Sequence, residues 1–222
     1  MKTGKNGQSV TKTCICSNGD LGDIDRARTL ASGADLLIAA DGGARYIEAM
    51  GLKPHMILGD MDSIREDLFT EDPGVRRITF PRKKDQSDTE LAVRWALEQG
   101  AETILLLGCW GGRPDHTLGN TALMVKFPGI LKLWDDGFWL LALTAGQKLV
   151  FQTTVGAVVS MFPFDPETRI STTGLEYNLN DENLKFPTHG LSNFAVEETC
   201  SASVTRGLII LCMEGGQTWP QL

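Results

Sequence analysis

The stretch MILGDMDS, residues 56–63, decides the fold of this chain. It begins with three apolar residues, and two carboxylates one residue apart follow Gly59. A short apolar run that ends at a turn residue is typical of a buried strand. In an open α/β sheet, ligands bind at the carboxyl ends of the strands. Because paired carboxylates repel each other unless a cation lies between them, Asp60 and Asp62 predict a magnesium site at that edge.

Strands and helices alternate on both sides of this stretch. Apolar runs predict strands, and apolar residues at helical spacing predict helices between them. The predicted strands are 13–17, 36–40, 56–58, 75–80 and 103–107. The predicted helices are 23–32, 44–50, a short one after Asp62 that ends near Pro73, 87–99 and 115–126. This alternation indicates a Rossmann-like α/β domain, a parallel sheet that helices flank on both faces.

The pattern changes near residue 130. From there the chain consists of short apolar segments separated by turn residues, without strong helical periodicity. Examples of predicted strands are 138–143, 148–152, 157–162, 201–205 and 208–213. We therefore expect an α/β domain over residues 1–130 and a C-terminal antiparallel β-sandwich, or a flattened barrel, over residues 131–222.

The composition limits the class of function. The chain has 222 residues, of which 42% are hydrophobic and 22% charged, as is ordinary for a globular protein. Its formal net charge of −7 argues against nucleic acid as a partner, because a phosphate backbone needs a basic surface. No apolar run reaches the roughly 18 residues that span a bilayer. The five cysteines, an odd number without paired CxxC spacing, predict reduced thiols in a cytoplasmic protein.

Carboxylates follow most of the predicted parallel strands. Besides Asp60 and Asp62, other acids follow the ends of the predicted strands; these are Asp41, Asp85, Asp88 and Asp115. A parallel sheet brings such strand ends to one edge, where the acids would repel each other without divalent cations. Carboxylate oxygens together with substrate phosphates are the ligands that Mg²⁺ prefers.

Basic residues and glycines stand beside these acids. Arg82, Lys83 and Lys84 precede Asp85, and Arg113 follows a pair of glycines at 111–112. Glycine backbone can approach a phosphate closely, and arginine binds phosphate oxygens with two donors. Acids, bases and glycine-rich turns at helix starts together indicate a metal–polyphosphate site.

Each of these features also has a simpler interpretation. Asp88 and Asp115 are placed to cap helices, and Asp41 precedes two glycines as a turn former does. His116 is placed as a helix-surface or packing residue. The basic run at 82–84 has the form of a solvated charge cluster. The usual nucleotide motifs, the P-loop and G-x-G-x-x-G, are absent, and so are the protein-kinase motifs. A nucleotide would therefore be bound by a different framework.

Taken together, the motifs resemble those of the thiamine pyrophosphokinase (thiamine diphosphokinase) family, bacterial type. The matching segments are DGG at 41–43, GDMDS at 59–63, KDQSDTELA at 84–92, GGRPDHTLGN at 111–120, TGLEYNL at 173–179 and GLSN at 190–193. The resemblance is specific because the segments occur together and in the family's order. It is weaker over 180–190.

The resemblance implies that the chain transfers a pyrophosphoryl group from ATP to thiamine, releases AMP and works as a homodimer. It implies Mg²⁺ held by Asp60, Asp62 and Asp88, with Asp41 and Asp85 as supporting catalytic residues. The nucleotide would be bound by Arg113, Asp115, His116, Asn120, Lys84 and Gln86, and thiamine by Ser192 and Asn193 near the dimer interface. An aromatic side chain, Tyr177 or Trp219, would stack on thiamine, although Tyr177 is equally suited to the β core.

Two other functions remain open at the level of sequence. A related pyrophosphokinase acting on another alcohol, such as a hydroxymethyl pterin, would share the ATP- and metal-binding half. A catalytically inactive thiamine- or nucleotide-binding protein would be expected to lack one of the motif acids, and all of them are present. The sequence does not assign the general base, since Asp62, Asp88 and water are each suited to accept the proton.

Overall fold

The computed structural model describes residues 12–62, 68–69, 72–185, 188–215 and 219–220. Ser63, the last residue of the GDMDS motif, lies outside the described residues, and so does most of the short helix predicted between Asp62 and Pro73. The chain divides into two compact units, Met1–Thr121 and Ala122–Leu222.

The first unit is built around a parallel sheet. Its strands are β1 (Lys12–Cys16), β2 (Leu36–Ala40), β3 (Met56–Gly59), β4 (Arg76–Thr79) and β5 (Thr103–Leu107), and its helices are α1 (Ile24–Ala31), α2 (Ala44–Ala49) and α3 (Asp88–Glu98). A further helix, α4 (Pro114–Lys126), contains the division between the units. The strands are ordered β5-β1-β2-β3-β4, and all four neighbouring pairs are parallel.

Burial explains why these strands are apolar without alternation. Ile15, Ile38, Ile57 and Leu105 are completely buried, as expected where helices cover both faces of a sheet. The edge strand β4 differs, since Arg76 and Arg77 are exposed. Charged residues on an edge strand discourage pairing with another chain.

Helix α3 begins as the capping-box pattern predicts. The Oγ atom of Ser87 accepts a hydrogen bond from the backbone N–H of Glu90 at 3.1 Å. Ser87 is therefore the N-cap of α3, and the alternative interpretation of Asp88 as its cap is wrong. Asp88 is the first helical residue, and its carboxylate is available for other contacts.

After the end of α4, the helices and strands assigned to the described residues of the second unit are all strands. They are β6 (Leu131–Asp135), β7 (Phe138–Thr144), β8 (Lys148–Gln152), β9 (Val158–Pro163), β10 (Arg169–Thr173), β11 (Glu182–Asn183), β12 (Gly190–Phe194), β13 (Thr199–Arg206) and β14 (Leu208–Glu214). One antiparallel set is ordered β12-β9-β14-β7-β6, and a separate antiparallel sheet is ordered β11-β10-β13-β8. Strand β13 of the second sheet contacts β7 of the first. The expected α/β fold followed by antiparallel sheets is confirmed.

The sequence did not specify strands β10 and β12. Their sequences, RISTT and GLSNF, contain few of the apolar residues that mark a strand. Pairing with neighbours makes them strands, since β10 pairs with β13 and β12 with β9. Tertiary context thus outweighs local propensity here.

The cysteines behave as reduced, mostly buried side chains. Within the described part of the chain no disulfide joins them, and Cys14 and Cys16 are completely buried in β1. Burial raises the pKa of the Cys14 thiol, and hydrogen bonding to Cys16 raises it further. None of the helices in the described ranges is long and apolar enough to cross a membrane.

Candidate active site

Three carboxylates meet at the carboxyl end of the parallel sheet. Oxygen atoms of Asp41, Asp60 and Asp62 lie within 4.8 Å of one another. Asp41 directly follows β2, and the other two directly follow β3. Because β2 and β3 are parallel neighbours, with Ala40 opposite Leu58, their ends place the three acids side by side. We call Asp41, Asp60 and Asp62 the acidic cluster.

The backbone around the acidic cluster adopts unusual conformations. Asp41 and Met61 have positive φ angles of 48° and 66°, which non-glycine residues seldom adopt. The carboxylate of Asp60 accepts a hydrogen bond from the backbone N–H of Asp62 at 3.2 Å, which closes the turn after β3. Conformations of this kind concentrate at functional sites, where the surrounding structure holds them in place.

The acidic cluster has the chemistry of a magnesium site. Asp41 is only 8% exposed, so its negative charge is poorly solvated beside two other carboxylates. A divalent cation would relieve the repulsion, and carboxylate oxygens are suitable ligands for Mg²⁺. Arg82 also offers positive charge, since its guanidinium donates a hydrogen bond to Asp62. The donor atoms that the structure brings together therefore fit this metal.

A cleft of about 270 Å³ opens beside Asp41, near the lower end of the usual size for small-molecule sites. Its wall is formed by the ends of β1, β2 and β5 and the starts of α3 and α4. The lining residues are Ser17, Asn18, Gly19, Ala40, Asp41, Ser87, Asp88, Thr89, Gly108, Cys109, Gly111, Gly112, Arg113, His116 and Asn120. Of the sequence-predicted residues, the cleft thus gathers Asp41, Asp88, Arg113, His116 and Asn120.

The turn after β1 is a part of the cleft whose role the sequence did not reveal. Backbone N–H groups of Ser17, Gly19 and Asp20 donate to carbonyls of Leu107, Gly108 and Trp110 at 2.7 to 2.8 Å. The hydroxyls of Ser17 and Thr89 share a buried hydrogen bond of 2.9 Å, which joins this turn to α3. The only sequence signal was the turn pair Asn18-Gly19, which is common in ordinary loops.

The glycines at 111–112 both line the cleft, and they differ in how closely Asp20 approaches them. A Cβ on Gly111 would lie 2.3 Å from a carboxylate oxygen of Asp20, whereas one on Gly112 would be 4.0 Å from Asp20. Gly111 therefore allows the turns after β1 and β5 to pack closely. That a phosphate approaches the backbone of Gly111 and Gly112 stays a prediction for both, since both line the cleft.

Arg113 and Asp115 form an exposed ion pair at the start of α4. The Nε and Nη2 atoms of Arg113 donate to the two oxygens of Asp115 at 3.1 and 2.6 Å. The hydrogen bond from Arg113, with a smaller contribution from its charge, lowers the pKa of Asp115 to about 2. Both groups are therefore charged at neutral pH, and Asp115 orients the guanidinium that lines the cleft.

His116 and Asn120 lie on α4 in different environments. His116 is exposed at the cleft, which excludes packing in the core and agrees with a helix-surface position. Asn120 is buried, and its amide donates to the carbonyl of Cys109 at 2.7 Å. Asn120 thereby fixes the loop after β5 to the helix.

The loop between β4 and α3, together with the first residue of α3, holds four predicted residues; these are Lys84, Asp85, Gln86 and Asp88. Lys84 is mostly buried and donates to Asp88 at 2.7 Å. Asp85 is exposed, and Gln86 is partly exposed. Neither Asp85 nor Asp88 belongs to the acidic cluster.

The two predicted thiamine residues of the second unit differ in what they contact. Ser192 has an exposed side chain and a positive φ of 55°, and its N–H donates to Ser160. Asn193 is buried, and its amide bonds to the N–H and carbonyl of Tyr177 and to the N–H of Phe194. Asn193 therefore shapes the segment around Tyr177.

The two aromatic candidates are in opposite environments. Tyr177 is 67% exposed, so its alternative placement in the β core is wrong, while Trp219 is buried. The side chain of Asn193, in β12, holds the backbone of Tyr177, and the exposed ring of Tyr177 is available to a ligand.

The chain is similar to known proteins over most of its length. Residues 27–132 match the family described as "Thiamin pyrophosphokinase, catalytic domain", and residues 148–209 match "Thiamin pyrophosphokinase, vitamin B1 binding domain". The chain is 30% identical to thiamine pyrophosphokinase 1 of Oryza sativa subsp. japonica over 216 residues, 83% of this chain and 78% of that protein. It is 29% identical to thiamine pyrophosphokinase of Bacillus subtilis, over 79% of this chain and 86% of that one. The crystal structure of thiamine pyrophosphokinase from Bacillus subtilis superposes with a TM-score of 0.80 at 25% identity, covering 92% of this chain and 99% of that chain.

Proposed function

The chain belongs to the thiamine pyrophosphokinase family, and we propose that it transfers the pyrophosphoryl group of ATP to the hydroxyethyl group of thiamine, giving thiamine diphosphate and AMP. The observation that carries the proposal is the acidic cluster beside a cleft that also holds Arg113 and His116. Similarity to a vitamin B1 binding domain over residues 148–209 supports thiamine as the acceptor, and no comparison favours another alcohol.

We propose Asp41, Asp60 and Asp62 as ligands of Mg²⁺, on the evidence of their common location. When bound, the metal would neutralise negative charge on the polyphosphate as the bond to AMP breaks. Asp88 is proposed as a further ligand because it lines the same cleft as Asp41, although its described carboxylate contact is with Lys84. Asp85, which is exposed in the preceding loop, is proposed to support this region.

Cations and amides around the cleft are proposed to hold the nucleotide. Arg113 and His116 line it, and arginine binds phosphate oxygens with two donors. Lys84 is a compact charge beside Asp88 that suits phosphate as a second partner, and Gln86 lies two residues farther along the chain. Such transfers depend mainly on positioning and charge stabilisation. Asp115 contributes by orienting Arg113, and Asn120 by fixing the loop that carries it.

We propose that residues 131–222 bind thiamine and residues 1–130 bind ATP and metal. The two family matches, at 27–132 and 148–209, support this division. Ser192 is proposed to contact thiamine, and Asn193 to hold Tyr177 where its exposed ring can stack on the cationic substrate.

We also propose a homodimer in the cytoplasm. Large apolar side chains are exposed on and beside strands β9 and β12; these are Phe162, Phe164, Leu191, Phe194 and Val196. A group of this kind is typical of a protein–protein interface. Light scattering coupled to size-exclusion chromatography will measure the mass of the protein in solution and so its oligomeric state.

The free thiols of the five cysteines support the proposed cytoplasmic location, because thiols stay reduced in that compartment.

One assay tests the function. Purified protein is incubated with ATP, Mg²⁺ and thiamine, or with a hydroxymethyl pterin in place of thiamine, and the products are identified by mass. We expect thiamine diphosphate and AMP in equal amounts. Transfer to the pterin alone would support the related pyrophosphokinase, and thiamine binding without turnover would support an inactive binding protein.

A further inference from the structure

Arg82 forms an ion pair with one member of the acidic cluster. Its Nη2 donates to the Oδ2 atom of Asp62. Asp62 also contributes an oxygen to the cluster with Asp41 and Asp60. A guanidinium and a divalent cation at this cluster would therefore bind the same carboxylate.

The ion pair has the properties of a contact that is easily broken. The side chain of Arg82 is 79% exposed and that of Asp62 is 39% exposed, so water solvates both charges. Exposed pairs of this kind stabilise a protein little. A divalent cation bound at the acidic cluster would, by contrast, interact with all three carboxylates at once.

We propose that Arg82 is a positioning residue that neutralises Asp62 while no metal is bound and is displaced when the divalent cation binds. The inference rests on the metal site of the proposed function. It adds that the acidic cluster is partly neutralised by the protein itself, so that metal affinity includes the free energy needed to release Arg82.

The chain offers a matched control in the next residue. Lys83 is also exposed and carries the same charge, and no ion pair or hydrogen bond joins its side chain to any residue in the described ranges. Removing either cation changes the net charge equally. The two variants differ in that only Arg82 contacts Asp62.

The experiment titrates the full-length protein with Mn²⁺ without nucleotide and measures free Mn²⁺ by electron paramagnetic resonance. We expect Arg82→Ala to bind Mn²⁺ about two- to five-fold more tightly than the unchanged protein. Lys83→Ala should differ by less than about 1.5-fold, since salt screens an exposed charge that lacks direct contact. Equal affinities for the two variants, or weaker binding by Arg82→Ala, would overturn the inference.

A second measurement follows Arg82 itself. The ¹⁵N resonance of its Nε should shift when Mg²⁺ is added to the unchanged protein, and the Asp62→Asn variant should show the released position without metal. A resonance that does not respond to saturating Mg²⁺ contradicts displacement. If the unchanged protein binds neither Mn²⁺ nor Mg²⁺, the metal site of the proposed function fails together with the inference. If it binds these metals and the Arg82 resonance does not respond, only the inference is rejected.

Discussion

Gly59 and Asp41 pack so closely that no side chain fits between them: a Cβ on Gly59 would lie 2.9 Å from the Cβ of Asp41. Gly59 also has a φ of 153°, a conformation that other residues rarely adopt. Gly59, the glycine of the GDMDS motif, is thus required for the position of Asp41, which lies eighteen residues earlier in the chain.

The substitution Gly59→Ala should therefore damage the acidic cluster. The added methyl group has to displace Asp41, and the backbone at 59 becomes strained. We expect about 1–3 kcal/mol of lost stability and Mn²⁺ binding weakened at least tenfold. Chemical denaturation and metal titration measure the two effects.

Gly119 provides the control for that substitution. It lies within α4, and a Cβ there would meet no atom within 4 Å. Gly119→Ala should stabilise the protein by about 0.5–1 kcal/mol through helix propensity and leave metal binding unchanged. Equal behaviour of the two variants would show that close packing on Asp41 is unimportant.

Asp62 and Asp85 should differ in their effect on catalysis. Asp62→Asn removes a charge from the acidic cluster, whereas Asp85→Asn removes one from an exposed loop position outside it. We expect thiamine diphosphate formation to fall at least about 100-fold for Asp62→Asn and less than about tenfold for Asp85→Asn. Unchanged turnover by the Asp62 variant would remove it from the proposed metal site.

Asn120 and His116, both on α4, are proposed to have different roles. Asn120 supports the loop after β5, and His116 contacts the nucleotide. Asn120→Ala leaves the Cys109 carbonyl without its buried amide donor, which should cost about 1–3 kcal/mol of stability. His116→Ala, at an exposed position, should leave stability unchanged and raise the KM for ATP. Urea denaturation and initial rates distinguish them, and a destabilised His116 variant would restore its interpretation as a packing residue.

In the second unit, Asn193 is proposed to support the backbone of its neighbours and Ser192 to contact thiamine. Asn193→Ala removes three hydrogen bonds to backbone groups of Tyr177 and Phe194, so it should lower stability by about 1–3 kcal/mol and raise the KM for thiamine. Ser192→Ala should raise that KM without a change in stability, because the described contact of Ser192 is made by its N–H. A normal KM for Ser192→Ala would exclude its hydroxyl as a thiamine contact.

The pH dependence of Asp115 follows from its ion pair. Arg113 holds the pKa of Asp115 at about 2, below the ordinary 3.8. The carboxylate is therefore ionised at higher pH, and the pair's stabilising effect is lost only as the pH falls from about 4 through about 2. In Arg113→Gln the pKa should rise towards 3.8, as measured by carboxyl ¹³C resonances. A pKa that stays near 2 in this variant would assign the shift to another cause.

The sequence predicted the fold well where local signals and tertiary environment agree. The strands around Ile15, Ile38 and Leu105 are apolar because helices cover both faces, so burial and propensity point to the same structure. The capping box at Ser87 has a local cause, and it was confirmed. Strands β10 and β12 were not specified, because their polar residues become strands only through their neighbours.

In the candidate site, too, the sequence predicted what depends on local motifs and not what depends on side-chain geometry. The GDMDS motif and the Asp41-Gly42-Gly43 motif indicated acids at the carboxyl ends of β2 and β3, and parallel pairing places them together. The sequence did not distinguish the acids of this cluster from acids outside it that pair with a neighbouring lysine or arginine. Asp88 is bonded to Lys84 and Asp115 to Arg113, and such pairs depend on side-chain geometry.

The sequence alone was sufficient for the family, for the alternation of strands and helices in the first unit and for the types of residue at the site, because these depend on local patterns and short motifs. Only the tertiary structure decided that Asp41 completes the acidic cluster, that Gly111 packs against Asp20, and that Asn193 supports Tyr177. These contacts join segments distant in the chain, and the path of the backbone between them sets their distances. The stretch at 56–63 supplies two carboxylates, and packing of Gly59 against Asp41 adds the third.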